Sequence, residues 1–232
     1  MILQKSGVVV VALLLIGAVT ASSSSAALET KAAEWYTGAS PGATLAEQLP
    51  VVTKIAEHPS LGAKISISLN LFFEPLQMTA TGINCIGCII ENREATSKSG
   101  KVAYGRGKLE FTGMTVDEPS GCTVSSQSGV ANTIITKELT FHGDWMDTNA
   151  ANQKAFIDFF PSVPSTFFQF KLAGSGPTCE SVAGTWNTPG SLFAESANNT
   201  GVFAVNQNLI FSSFITGTVA FSLVKGAQFA IK

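Results

Sequence analysis

Between Lys64 and Leu71 every second residue is apolar: Ile65, Ile67, Leu69 and Leu71 alternate with Ser66, Ser68 and Asn70. Successive side chains of an extended chain point to opposite faces. This spacing therefore predicts a strand with one buried and one polar face. The pattern recurs. Leu76, Met78 and Ala80 alternate with Gln77 and Thr79, and Leu109 and Phe111 with Lys108, Glu110 and Thr112. Phe168, Phe170 and Leu172 alternate with Gln169 and Lys171; Val219, Phe221 and Leu223 repeat the spacing, as do Phe229 and Ile231. Turn-forming clusters stand between these segments: Gly105-Arg106-Gly107, Pro119-Ser120-Gly121, Gly174-Ser175-Gly176-Pro177 and Pro189-Gly190-Ser191. Many short alternating segments separated by turns predict an all-β chain, an antiparallel β-sandwich or barrel-like domain.

Two stretches read less clearly. Residues 43–58 fit a helix or strands; Pro50 in their middle argues against a continuous helix, so strands are expected. Asn149 to Phe160 is the best helix candidate, although its end, Ala155 to Phe159, reads equally as a strand. No internal repeat or linker divides the remainder, so residues 35–232 are expected to form a single β-rich domain that begins with a strand at Trp35-Tyr36.

The first residues predict export. Lys5 precedes an uncharged apolar run of 12 residues, Val8 to Val19. A membrane-crossing helix needs about 20, whereas 12 suits the core of a signal peptide. Small residues follow, and cleavage after Ala21 or after Ala26 satisfies a signal peptidase. The expected organisation is a signal peptide over 1–26, a flexible lead over 27–34, and then the domain. No second apolar stretch reaches spanning length, so no transmembrane segment is expected in the mature chain. Charged residues make up only 13% of the sequence, beside 16 Phe and 21 Gly, which suits a sheet protein with a large apolar core. With a formal net charge of −2 and no basic cluster, the chain lacks a nucleic-acid footprint.

Four cysteines, Cys85, Cys88, Cys122 and Cys179, suggest disulfides in an exported chain. Four cysteines allow three pairings and the sequence does not choose among them. The favoured arrangement is Cys122–Cys179 with Cys85–Cys88. The short bridge would hold a local turn, with a bulge at Gly87. A redox Cys-x-x-Cys needs its first cysteine at a helix N-terminus, and here the flanks, Thr81-Gly82-Ile83 and Ile89-Ile90, are strand-like. A zinc site needs a second close pair, which Cys122 and Cys179 do not form in sequence.

His142-Gly143-Asp144-Trp145-Met146-Asp147 gathers an imidazole, two carboxylates and an indole. It reads as a strand end running into a polar turn. As a functional candidate, His142, Asp144, Trp145 and Asp147 would form a binding surface. His58, the other histidine, stands beside Pro59, and no Gly-x-Ser-x-Gly elbow supports a serine triad. Trp35, Trp145 and Trp186 are expected to be partly core. Asn198-Asn199-Thr200 is a glycosylation sequon.

Several stretches resemble a group of uncharacterised secreted proteins of soil actinobacteria. These are Thr81 to Cys85, Cys88 to Asn92, Gly107 to Val116, Gly121 to Val124, His142 to Asp147 and Thr200 to Val202. The resemblance implies export and a cysteine-bearing β-rich domain. Some members carry a further cysteine near the position of Met114, which leaves the pairing of Cys122 open. No catalytic, cofactor or metal residues are assigned. The expected function is a non-enzymatic extracellular or cell-envelope module that binds a glycan or an envelope protein. A secreted hydrolase with a site near His142, Asp144 and Asp147, and a structural surface subunit, are the alternatives.

Overall fold

The structure, a computed structural model, describes residues 33–38, 43–56, 60–71, 74–94, 100–145, 155–162, 166–196, 202–209, 213–224 and 227–231. The expected signal peptide, most of the lead, His58, Met146, Asp147 and the sequon lie outside these residues. Seventeen strands and one short helix follow in order: β1 (Trp35–Thr37), β2 (Leu49–Ala56), β3 (Ile65–Leu71), β4 (Glu74–Ala80), β5 (Gly82–Glu94), β6 (Lys101–Thr112), β7 (Thr115–Glu118), β8 (Cys122–Ser126) and β9 (Thr133–Thr136). Then come β10 (Leu139–Trp145), β11 (Ala155–Pro161), β12 (Phe168–Gly174), α1 (Pro177–Glu180), β13 (Gly184–Thr188), β14 (Leu192–Ser196), β15 (Val202–Leu209), β16 (Ser213–Leu223) and β17 (Phe229–Ile231). Every described strand pairing is antiparallel.

The pairings close a circuit. From β6 the ladder runs through β10, β11, β14, β15 and β16 to β2, then through β5 back to β6. Closure removes the exposed edges that would otherwise invite pairing with other chains. Two arms leave the ring: β16 also pairs β3, followed by β4 and β7, and β6 also pairs β9, followed by β12 with β8 and β13. Buried residues of the ring and of both arms belong to one apolar core.

The alternation read from the sequence is the alternation of burial. Ile65, Ile67, Leu69 and Leu71 of β3 are buried, as are Leu76, Met78 and Ala80 of β4 and Phe168, Phe170 and Leu172 of β12. Residues 43–58 contain the strand β2, with Pro50 near its start beside Ile89 of β5. Of the helix candidate Asn149–Phe160, residues 149–154 lie outside the described residues, and Ala155–Pro161 is a strand, the alternative read for its end. Ala155, Phe156, Ile157 and Phe159 are all buried, so burial on both faces erases the two-residue period there. The turn expected at Gly105-Arg106-Gly107 is also corrected, because all three lie inside β6.

The reason for glycine at 105 is a close approach. Gly105 stands opposite Phe141 of β10, whose ring covers the place a Cβ would occupy, 1.9 Å from its nearest atom. Phe141 then packs on Phe159 with ring centroids 5.1 Å apart, and Phe159 on Phe221 of β16 at 5.7 Å. Two of these rings are cross-strand partners on the neighbouring strands β10 and β11, the third comes from β16 three strands further round, and together they pack in the interior of the ring. The two-stranded ribbon of β1 and β17 joins them. Trp35 is fully buried, meets Phe229 edge to face at 5.3 Å, and its indole N–H donates to the Tyr104 carbonyl at 2.9 Å. The Asn92 side chain accepts from the Trp35 N–H and donates to the Trp35 and Leu45 carbonyls. Ala33, assigned above to the flexible lead, is buried, and its carbonyl accepts from the Ala103 N–H at 2.6 Å. The ordered domain therefore starts at or before that residue.

Both disulfides form the favoured pairs, Cys85–Cys88 and Cys122–Cys179. Cys122 opens β8 and Cys179 sits buried in α1, so the long bridge ties the helix to the arm of β8 and β12. The short one spans a bulge. Ile86 faces Lys108 and Ile89 faces Arg106, which leaves one extra residue on β5. Gly87 carries it with φ at +62°, a left-handed conformation that favours glycine. The extra residue switches the buried face from odd to even positions, so that Ile83 before it and Ile90 after it both point into the core.

Gly105→Ala is expected to cost about 1–3 kcal/mol, the usual penalty for overpacking, read as a lower urea midpoint with unchanged slope. A variant as stable as the parent would contradict the packing of Phe141 on Gly105. The double variant Cys122→Ser/Cys179→Ser should lose about 4 kcal/mol in the chain-entropy account of a loop this long, and Cys85→Ser/Cys88→Ser clearly less. Equal losses in the two double variants would contradict that account.

Candidate functional site

On the outer wall of the ring, register aligns one residue from each of five adjacent strands. Glu91 of β5 faces Tyr104 of β6, Tyr104 faces His142 of β10, His142 faces Asp158 of β11, and Asp158 faces Phe193 of β14. Directly opposed residues on one face have Cβ atoms about 4.5–5.5 Å apart. The row is therefore a continuous line of side chains, and it lies on the face opposite the Phe141–Phe159–Phe221 stack.

Rings hold the row together. The Tyr104 and His142 rings are 5.6 Å apart, and His142 meets the edge of Phe160 at 5.2 Å. Phe193 packs against Phe156 at 4.7 Å. Phe156 is buried but stands apart from the main core, as expected for a ring covered on the outer wall. At the other end, the Arg93 guanidinium lies 3.5 Å from the centre of the Tyr104 ring and pairs with the Glu91 carboxylate. A cation over a tyrosine face contributes about 0.5–1 kcal/mol when exposed. Glu91 also accepts from the Gln48 amide at 3.3 Å. His142 is exposed; Tyr104, Asp158, Phe160 and Phe193 are half-buried.

The apolar surroundings act on the two titrating groups at the centre. Burial among the rings pushes Asp158 up to about 6 from its ordinary 3.8. Loss of water on the side of the imidazole that meets the Tyr104 and Phe160 rings, with a smaller contribution from the nearby Arg93 charge, lowers His142 below its ordinary 6.5 although its outer side is exposed. At neutral pH the wall thus presents a neutral imidazole beside a carboxylate that is mostly ionised and takes up its proton near pH 6. Such a face offers stacking surface, hydrogen-bond donors and acceptors, and a carboxylate that titrates near pH 6.

The candidates named from sequence divide. His142 and Asp144 are both on the outer wall. Trp145 is on the opposite face of β10 and packs against the core, so the indole expected beside them is not part of this surface. Trp186 likewise packs on the core, its indole N–H donating to the Val182 carbonyl at 2.8 Å. The sequence reading missed Arg93, Tyr104, Asp158, Phe160 and Phe193. Parity was the available signal: in β6 and β11 these aromatic and ionisable residues occupy positions opposite in phase to Ala103, Gly105, Ile157 and Phe159. Strand neighbours were not available from sequence.

No family model, curated protein or solved structure matches this chain. Among the described residues no helix is long and apolar enough to cross a membrane, and no group of three or more His, Cys, Asp or Glu residues is placed to hold a metal ion.

The two shifts have opposite signs in stability. A folded Asp158 that keeps its proton to about pH 6 makes the protein lose stability as pH rises from about 4 to about 6. A lowered His142 makes it lose stability as pH falls through about 6.5. Asp158→Asn should therefore gain on the parent by about 1 kcal/mol more at pH 8 than at pH 4, after allowance for solvent screening. Urea midpoints at the two pH values measure this. An equal difference at both would contradict the assigned environment of Asp158.

Proposed function

We propose that this chain is exported with a removable leader and works outside the cytosol as a non-enzymatic glycan-binding module. Its ligand lies along the outer wall of the β-ring. The observation that carries the reading is the row Glu91–Tyr104–His142–Asp158–Phe193, flanked by Arg93 and Phe160. Sugars combine apolar C–H faces with hydroxyl groups. They are taken by half-exposed rings that stack on the faces and by polar side chains that bond the hydroxyls. A rigid sheet presents both at fixed spacing with little ordering cost on binding. Two disulfides suit an oxidising compartment, which supports the export reading of the leader.

A second reading keeps the same residues. His142 beside Asp158, with Asp144 further along the same wall, is an acid–base arrangement of the kind a hydrolase uses. One experiment separates the two. The mature protein is screened against immobilised polysaccharides, and the supernatant is assayed for new reducing ends. Binding without release, weakened at least tenfold by Tyr104→Ala and by His142→Ala in variants with unchanged circular dichroism, is the expected outcome. Release that Asp158→Asn abolishes would replace the binding module with the hydrolase. Absence of both binding and release would overturn the assignment.

A further inference from the structure

We infer that a second ligand site, for a small sugar bearing a carboxylate, lies in the cleft where β9 passes into β10. It stands on residues outside the His142 row and holds or fails independently of the function proposed above.

The cleft arises from a bulge. Glu110 of β6 faces Ile135 and Gly107 faces Leu139, so three steps along β6 are matched by four along the facing chain. Lys137-Glu138 carries the extra residue. The sheet divides at this point, since β9 goes on to pair β12 while β10 goes on to pair β11. Bulges commonly re-aim side chains at such corners. Here the displaced backbone is pinned on both sides: the Lys137 N–H donates to the Phe167 carbonyl at 2.9 Å, and the Glu138 carbonyl accepts from the Ser162 N–H at 2.9 Å.

The opening has a volume of about 310 Å³, and its lining includes Lys108, Gln127, Ser128, Lys137, Glu138 and Gln169. That is near the lower end of the usual 300–1,000 Å³ for small-molecule sites, so it suits one or two sugar rings. Its rim is braced, with the Ser126 and Ser128 hydroxyls bonded to each other at 2.9 Å. Lys137 donates to the Gln127 amide oxygen at 3.4 Å, a long contact. Among the described residues neither Lys108 nor Lys137 is in an ion pair.

The charge pattern selects the ligand. Two lysines and one glutamate give the cleft one net positive charge, which a singly charged anion neutralises. Glu138 on the same rim opposes a multiply charged anion such as phosphate but accepts from a hydroxyl. The two amides and Ser128 supply further donors and acceptors. One carboxylate with several hydroxyls meets all of these groups at once.

The test is titration of the ¹⁵N-labelled mature protein with galacturonate, galactose and inorganic phosphate. Saturable shifts centred on Gln127, Lys137 and Gln169 are expected with galacturonate, at least tenfold weaker with galactose and weaker with phosphate. Lys108→Gln/Lys137→Gln should weaken galacturonate at least tenfold. Without ligand it should melt at the same temperature as the parent, because neither lysine is in an ion pair among the described residues. That last readout separates a site residue from a structural one. No saturable shift, shifts confined to the His142 row, phosphate binding as tightly as galacturonate, or unchanged affinity in the double variant would each overturn the inference.

Discussion

One strand, β6, sets where nearly everything else can be. It pairs β5 along almost its whole length on one side. On the other it holds β10 near its middle and β9 near its C-terminal end. Each side of β6 carries a one-residue shift, one within the β5 ladder and one where β9 passes into β10. The bulge in β5 lets a thirteen-residue strand keep its apolar side inward at both ends. The shift between β9 and β10 lets one run of chain serve first an arm and then the ring. Because the side-chain period in a strand is two, a single inserted residue exchanges the faces. Without the bulge in β5, either Ile83 or Ile90 would turn away from the core.

The same register that closes the ring builds the candidate surface. Inside, glycine at 105 and the ring of Phe141 fill one space between them, and the aromatic contacts continue to Phe221. Outside, the adjacent positions put Tyr104, His142 and Asp158 in one line. Neither face can be altered alone. A slip of β10 on β6 by one residue would bury the imidazole and expose Phe141. The perturbed acidities of Asp158 and His142 follow from that placement, since the rings packed around the row thin the water around both groups.

Much of the fold was legible in the sequence. The alternation in β3, β4, β12 and β16 named both element type and buried face, and the Cys-Ile-Gly-Cys spacing pointed to a bulge at Gly87. What misled was local chemistry with a distant cause. Gly105 and Gly107 look like turn residues, yet Gly105 is there because a phenyl ring from a strand more than thirty residues later needs its space. β11 showed no period because Phe156, on its outer face, is covered by Phe193. Trp145 was grouped with His142 by proximity in sequence, although its odd position assigns it to the inner face. The row itself was hidden for a simpler reason. Its five members come from five strands, and parity gives a side chain's face but not its neighbour.

The central claim is that the eight strands close on themselves through β2, which links β16 to β5. Nuclear Overhauser contacts across those two seams test it most directly, in the oxidised mature protein. The closed ring predicts contacts between Thr53 and Phe221 and between Leu49 and Ile90, observed together in one folded population. Contacts within the β5–β6 and β10–β11 hairpins, with either β2 seam missing, would contradict it.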